Sequence, residues 1–260
     1  MNLIKKQMVK IVSLITLSIL LAACSQKSPA ADDHEIVNSQ ITVDGEISDW
    51  ESISPITVQG ADHLWIGEGL PQGEWQGNKD LSFNWRAAHA DGKLYFLFEV
   101  NDDKLSSFDQ PYSWLNDCIE IYLDHQNIAG DRITEIGPEN SLEDRIGKRL
   151  RGHEMHFLPA ETPKVFFNDT EGIYYTDSAQ TIKFNNEWHG KVVSKKTDTG
   201  YLIETGFAIP NFYAQRGDKI GIDVAVCDDD GDGRKSLLLW SGYKGDFWLT
   251  MDDFKKAVLK

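Results

Sequence analysis

The chain has 260 residues, with 26 lysines and arginines against 41 aspartates and glutamates, and a formal charge of −15 at pH 7. A surface this acidic repels phosphate backbones and excludes a nucleic-acid binder held by charge. Its three cysteines form no CxxC spacing and no thiol-protease arrangement.

Lys5, Lys6 and Lys10 precede the apolar run IVSLITLSILLAA, which ends at Cys24. The run is short for a membrane span and has the flanks of a secretory signal. Its last residues, LAAC at 21–24, resemble the lipobox of bacterial lipoproteins. That resemblance implies cleavage before Cys24, lipidation of its thiol and anchoring at the cell envelope, where several acyl chains hold stably. Ser25 in the next position resembles outer-membrane sorting in a Gram-negative cell. The expected organisation is a signal at residues 1–23, a flexible polar tether at 24–40 and one domain at 41–260. Removing the signal takes away three lysines and no acid, which brings the mature charge near −18.

Period-two runs dominate the domain. ITVDG, from Ile41, is its expected first strand. DLSFNWRAAHADGKLYFLFEVNDD predicts a hairpin turning around Ala90, Asp91 and Gly92, where Asp-Gly tolerates positive φ. CIEIYLD, residues 118–124, follows. HEMHFLP, KVFFND and GIYYT are shorter candidates. NSLEDRIGKRLRG has the pattern of one short helix. GKVVSKKTDTGYLIETGFAIP predicts a second hairpin around Asp198, Thr199 and Gly200, and residues 211–215 a single helical turn. KIGIDVAVCDDD and SLLLWSG read as neighbouring strands joined by an acidic loop, and DFKKAVLK as a closing strand. Many short strands with Gly-rich and Asp-rich turns predict an all-β fold, an antiparallel β-sandwich of jelly-roll type with long loop insertions. Cys118 and Cys227 both fall in predicted strands. An oxidising compartment allows them to pair, but sequence does not set the Cα spacing a disulfide needs, so pairing and two separate thiols both stay open.

The strand CIEIYLD poses the central question. Ile119, Ile121 and Leu123 share one face, while Cys118, Glu120, Tyr122 and Asp124 share the other. Trp114 stands just before it. Eight tryptophans are spread along the chain. A single Trp more often plugs a core, yet Trp114 and Trp240 sit at strand ends beside acidic segments, where an indole can stack on the apolar face of a pyranose. DDDGDG, residues 228–233, matches the opening of a calcium loop through Asp228, Asp230, Asp232 and Gly233. Leu239 replaces the bidentate Glu of an EF-hand, so a weaker calcium loop and a solvated acidic turn are both open. VNDD, residues 100–103, is a second acidic strand end of the same kind. Asp117 and Glu120 fall on opposite strand faces, and Glu120 and Asp124 lie about 13 Å apart along the strand, beyond glycosidase separations. His153 and His156 diverge as a metal pair, but one of them could hydrogen-bond a sugar.

Taken in order, ITVDGEISDW, LYFLFEVNDD, WLNDCIEIYLD, GYLIETGFAIP, IGIDVAVCDDDGDGR and LLLW resemble the family 9 carbohydrate-binding modules and their sugar-binding relatives in bacterial lipoproteins. The resemblance runs from about Ile41 to the C-terminus. It implies an antiparallel β-sandwich with structural calcium, and a slot in which two Trp clamp an oligo- or polysaccharide of the glucan or xylan kind. Residue by residue it points to Trp114 and Trp240 as the clamp and to Glu120 as a hydroxyl partner. It also implies one Arg contact from the middle segment, for which Arg149 and Arg151 are the candidates, and calcium ligands at Asp228, Asp230 and Asp232; His156 of HEMH is a further candidate hydrogen-bond partner. It implies a non-catalytic, envelope-anchored lipoprotein that serves partner glycoside hydrolases or transporters. Two alternatives are carried beside it. One is a glycoside hydrolase or hydrolase accessory subunit. The other, by fold analogy alone, is a haem-binding sandwich with axial ligands from HEMH.

Overall fold

Alternating apolar residues and tight turns fold the described part of this chain into fourteen strands. The computed structural model describes residues 33–65, 74–106, 109–131, 152–161, 163–167, 173–175, 181–184, 188–209 and 212–260. The signal and Cys24, Arg149, Arg151 and the short helix expected near them lie outside the described residues.

The strands are β1 His34–Asn38, β2 Ile56–Val58, β3 Leu81–Ala90, β4 Lys93–Asp102, β5 Cys118–Asp124, β6 His153–Leu158 and β7 Lys164–Phe167. There follow β8 Ile173–Tyr175, β9 Thr181–Phe184, β10 Trp188–Thr197, β11 Gly200–Ala208, β12 Lys219–Asp229, β13 Arg234–Leu239 and β14 Lys255–Leu259. One sheet runs β8-β7-β6-β5-β12-β14, with β13 also on β12. The other runs β3-β4-β11-β10-β9, with β2 also on β3. Both predicted hairpins form. Asp91 and Gly92 take φ of 49° and 77° at the first turn, the left-handed pair that an Asp-Gly hairpin requires.

β1 was expected to be tether. Instead its first three residues pair with β14 and its last two with β3, parallel in both cases, so it stitches the two sheets together. Ile36 is fully buried there, and the Lys260 N–H donates to the Ile36 carbonyl at 2.9 Å. HEIVN carries too short an alternation to show this in sequence; only its pairing with β14 and β3 makes it a strand. The sandwich is therefore mixed, not purely antiparallel. Residues 41–45 are a loop, not a first strand. The helical turn expected at 211–215 is also not formed in its described part, where Phe212 and Ala214 make isolated bridges to Ile209 and Gly92.

Between the sheets lies the main core. Trp85, Phe96, Phe98, Phe157 and Phe207 stack through it beside Ile119, Ile121 and Leu123. A second apolar layer covers the outer face of the first sheet, where Trp65, Phe247, Met251 and Phe254 from loops pack on Cys118, Tyr122, Ala225, Cys227, Leu237 and Leu239. β5 is consequently buried along its whole length on both faces. Cys118 and Cys227 are free thiols.

The motif residues at the start of the domain have a structural explanation. Glu204, fully buried on β11, accepts from the backbone N–H of Asp44 at 2.7 Å, that of Gly45 at 2.6 Å and the indole N–H of Trp50 at 2.7 Å. Gly45 has φ of 79°, and a Cβ there would press into Val193 and Lys195. VDG…DW and the Glu of GYLIETGFAIP are thus two halves of one clasp. Glu204→Ala leaves three donors without their acceptor and should lower stability by about 2–4 kcal/mol, with Glu204→Gln between it and the parent. Urea unfolding midpoints measure this; a loss under about 1 kcal/mol would show that the clasp is dispensable.

Candidate functional site

The outward side chains of β5 gather polar groups because antiparallel register sets specific partners beside them. Glu120 faces His156 of β6, Tyr122 faces Glu154, and on the other side Ala225 and Cys227 of β12 face Glu120 and Cys118. Buried polar groups must satisfy one another, and these do. Tyr122 Oη lies 2.8 Å from Glu120 Oε2 and 3.2 Å from Glu154 Oε1. His156 Nε2 lies 2.9 Å from Glu154 Oε1 and 3.9 Å from Glu120 Oε1. Carboxylate oxygens only accept, so Nε2 carries a proton, and Nδ1 meets Ser113 Oγ at 2.7 Å.

An aromatic lip borders this base. A short 3-10 turn, Ser113–Leu115, sets Trp114 before β5. Its ring stacks on Tyr112 at 4.7 Å and 9° and stands edge-on to His156 at 6.4 Å. Tyr112 is 47 % exposed, one of few large apolar side chains so open. Across the same face, the Arg234 guanidinium lies 5.5 Å over the Trp65 ring, a cation–π contact, and Trp248 packs edge-on to Trp65 at 5.4 Å.

Of the expected sugar contacts, the structure brings Trp114, Glu120 and His156 together. Trp240 is elsewhere. On β13, Leu237 and Leu239 face outward with Cys118, while Leu238 and, two residues on, Trp240 turn to the inter-sheet core. Trp240 packs edge-on to Trp85 at 4.8 Å and near His34 at 5.6 Å. Strand parity puts it on the other side of the sheet from Glu120, so a Trp114–Trp240 clamp is not the arrangement here. Arg149 and Arg151 lie outside the described residues. Tyr112, Ser113, Glu154 and Arg234 escaped sequence reading. Tyr122 alone was visible as a member of the alternating polar face.

The expected calcium loop is also rearranged. Asp228 does not converge with Asp230 and Asp232. It meets Asp102 at the end of β4 and Asp117 just before β5, all three buried, with one oxygen from each lying within 4.8 Å of the others. Asp232 turns to solvent and pairs with Lys235 at 2.7 Å, and Asp230 offers its carbonyl to Lys104. The loop is shaped by Asp229, whose Oδ1 accepts from the N–H of Gly231 at 2.7 Å and of Gly233 at 2.8 Å. Burial, then the neighbouring carboxylates, pushes Asp228 up to about 8, while burial and then Asp102 push Asp117 to about 7. Burial and the charges of Asp103, Asp230 and Asp80 push Asp102 up to about 6. Asp102 Oδ2 is buried with no hydrogen-bond partner among the described residues. Three buried carboxylates with an orphaned oxygen suit a divalent cation. The residues Cys118, Glu120 and Cys227 form a second group able to hold a metal ion.

The pH dependence follows from these shifts. Each raised carboxyl binds its proton more tightly folded than unfolded, so its contribution is full below about pH 4 and is lost as pH rises through about 6 to 8. In chelator the chain should lose thermal stability across that rise. An added divalent cation should reverse the loss, most strongly at pH 8, and Asp228→Asn should diminish the rescue. Melting curves at pH 5 and 8, with EDTA or excess Ca2+ or Mg2+, measure it; identical curves at pH 8 in all conditions would remove the cation from the cluster.

Three comparisons bear on this arrangement. The family model described as carbohydrate family 9 binding domain-like matches residues 59–134 and 161–260. A family 9 carbohydrate-binding module from Caldicellulosiruptor kristjanssonii, solved with cellotriose, is 16% identical with a TM-score of 0.59, covering 87% of this chain and 93% of that one. The same organism's module solved with glucose is 17% identical with a TM-score of 0.58, covering 87% and 94%. Endo-1,4-beta-xylanase A of Thermoanaerobacterium saccharolyticum is 21% identical over 223 residues, which are 84% of this chain but 15% of the xylanase. The first match takes in β5 and β12 and all three residues of the carboxylate cluster, and spans more than half of the sequence. This chain belongs to the carbohydrate family 9 binding domain-like family.

Proposed function

We propose that this chain is a non-catalytic carbohydrate-binding module whose binding site is centred on the Tyr112–Trp114 lip beside β5 and β6. The observation that carries it is the exposed Tyr112 ring stacked on Trp114, held in place above the buried His156–Glu154–Glu120 network. A pyranose offers its apolar face to such a lip, and the network beneath fixes the rings before a ligand arrives. The sandwich shared with modules solved with cellotriose and with glucose supports a glucan-type oligosaccharide, and xylan is the natural second candidate beside the xylanase match. Ser113, His156 and Glu154 have the residue types of a hydrolytic triad. Ser113 is 4% exposed, however, so its hydroxyl is not presented to a substrate. The finer role follows from the N-terminus. Anchored through Cys24, with the folded body starting at Asp33, the module has a tether of at most about 30 Å. It would hold polysaccharide close to the envelope for partner hydrolases or transporters, with calcium as the hard cation in the Asp102–Asp117–Asp228 cluster.

Titration calorimetry with glucose, cellotriose and xylotriose tests the site. Trp114→Ala should weaken binding at least about tenfold, or about 1.4 kcal/mol. Trp240→Ala should keep the affinity but lose up to about 3 kcal/mol of stability. Full affinity in Trp114→Ala would move the site elsewhere, and no binding to any of these sugars would reject the sugar class. For the anchor, labelled palmitate should enter the parent chain in cells and not Cys24→Ser; equal labelling would reject lipidation at that thiol.

A further inference from the structure

We propose that Cys118, Cys227 and Glu120 form a closed site for one borderline-soft divalent cation of the zinc class, distinct from the all-carboxylate cluster around Asp228. Cys118 and Cys227 are directly opposed on β5 and β12, and both side chains lie on the outer face. Glu120 stands two residues along the same face, opposite Ala225. The two sulfurs and a Glu120 oxygen all lie within 4.8 Å of one another, and Cys227 Sγ is 3.4 Å from Glu120 Oε1. Ligands at about 2.3 Å (sulfur) and 2.0 Å (oxygen) around a tetrahedral ion stand about 3.5–3.8 Å apart. The observed spacing needs little movement to reach that.

The donor set selects the ion. Two sulfurs and one carboxylate suit zinc-like cations, whereas calcium and magnesium take oxygens alone. The fold thus offers a hard-cation cluster on the inner face of these strand ends and a softer site on the outer face.

Arg234 supplies the second, independent observation. Its Nη1 reaches toward Cys227 Sγ at 3.8 Å, and its Nε is buried with no hydrogen-bond partner among the described residues. A neutral thiol is a poor acceptor for a guanidinium, but a metal-bound thiolate is a good one. Two thiolates, the Glu120 carboxylate, the Arg234 cation and a divalent metal sum to zero charge, which suits a site from which water is excluded. On binding, two S–H bonds break and their protons leave to solvent, two metal–sulfur bonds form, and nothing is oxidised or reduced. His156 Nε2, 3.9 Å from Glu120 Oε1, borders the site and links it to the sugar base. Glu120 then supports that base from beneath, and the proposed sugar contact at Trp114 does not depend on it.

The test uses the full chain with Cys24→Ser, so that only these two thiols remain. Reduced, metal-stripped protein is titrated with Co2+ and then Zn2+. The expected result is a thiolate-to-cobalt charge-transfer absorption that saturates at one equivalent and is bleached by one equivalent of Zn2+. Cys118→Ser and Cys227→Ser should each abolish it, and Asp228→Asn should keep it. Absence of the band in the parent, or its survival in both serine variants, would overturn the site. So would a thiol assay in denaturant that finds the pair joined as a disulfide in protein purified without reductant. Because the parent titration alone decides the matter, a serine variant that fails to fold does not rescue the proposal.

Discussion

A strand covered on both faces cannot hide its polar side chains from the rest of the protein, and β5 is such a strand. Its inner side chains enter the inter-sheet core, and its outer ones lie under an apolar layer built from loops. Every polar group on that outer face must therefore find its partner among the neighbouring strands, because an unpaired buried polar group costs about 1–3 kcal/mol. Register with β6 supplies His156 and Glu154, while register with β12 supplies Cys227. The polar base is the consequence of this constraint, and the short turn Ser113–Leu115 sets Trp114 beside it.

The same sheet separates two kinds of chemistry by face. On the inner side, where chain enters or leaves β4, β5 and β12, carboxylates of Asp102, Asp117 and Asp228 converge and repel. On the outer side of the same strand ends, sulfur and a single carboxylate lie together, beside Arg234 over Trp65. The two groups differ in ligand softness, so a cation suited to one is poorly suited to the other. Both lie where β5 meets β12, the pairing beside the candidate site.

The clasp at Glu204 and the stitch at β1 play the complementary part. Neither touches the candidate site. One pins the opening loop to the far sheet, and the other joins both sheets through the pairing of β1 with β14 and β3. A face that binds through preset hydrogen bonds needs such rigidity, because each donor and acceptor must be in place before a ligand arrives.

Local order determined what could be read from residues in succession. Alternation marked the long strands, Asp-Gly chemistry marked the first hairpin, and the two-faced character of CIEIYLD marked the face that matters. Motif order was enough to suggest the family. Convergence was decided by tertiary structure alone. Asp228 meets Asp102 and Asp117 rather than its own neighbours Asp230 and Asp232, because strand ends from three parts of the chain come together there. Trp240 turns inward because strand parity carried on from β13 leaves it on the side of Leu238. β1 is a strand only because two sheet edges are waiting for it. A period of two is carried by adjacent residues, but register is carried by pairs far apart in the chain, and it is register that chooses which side chains meet.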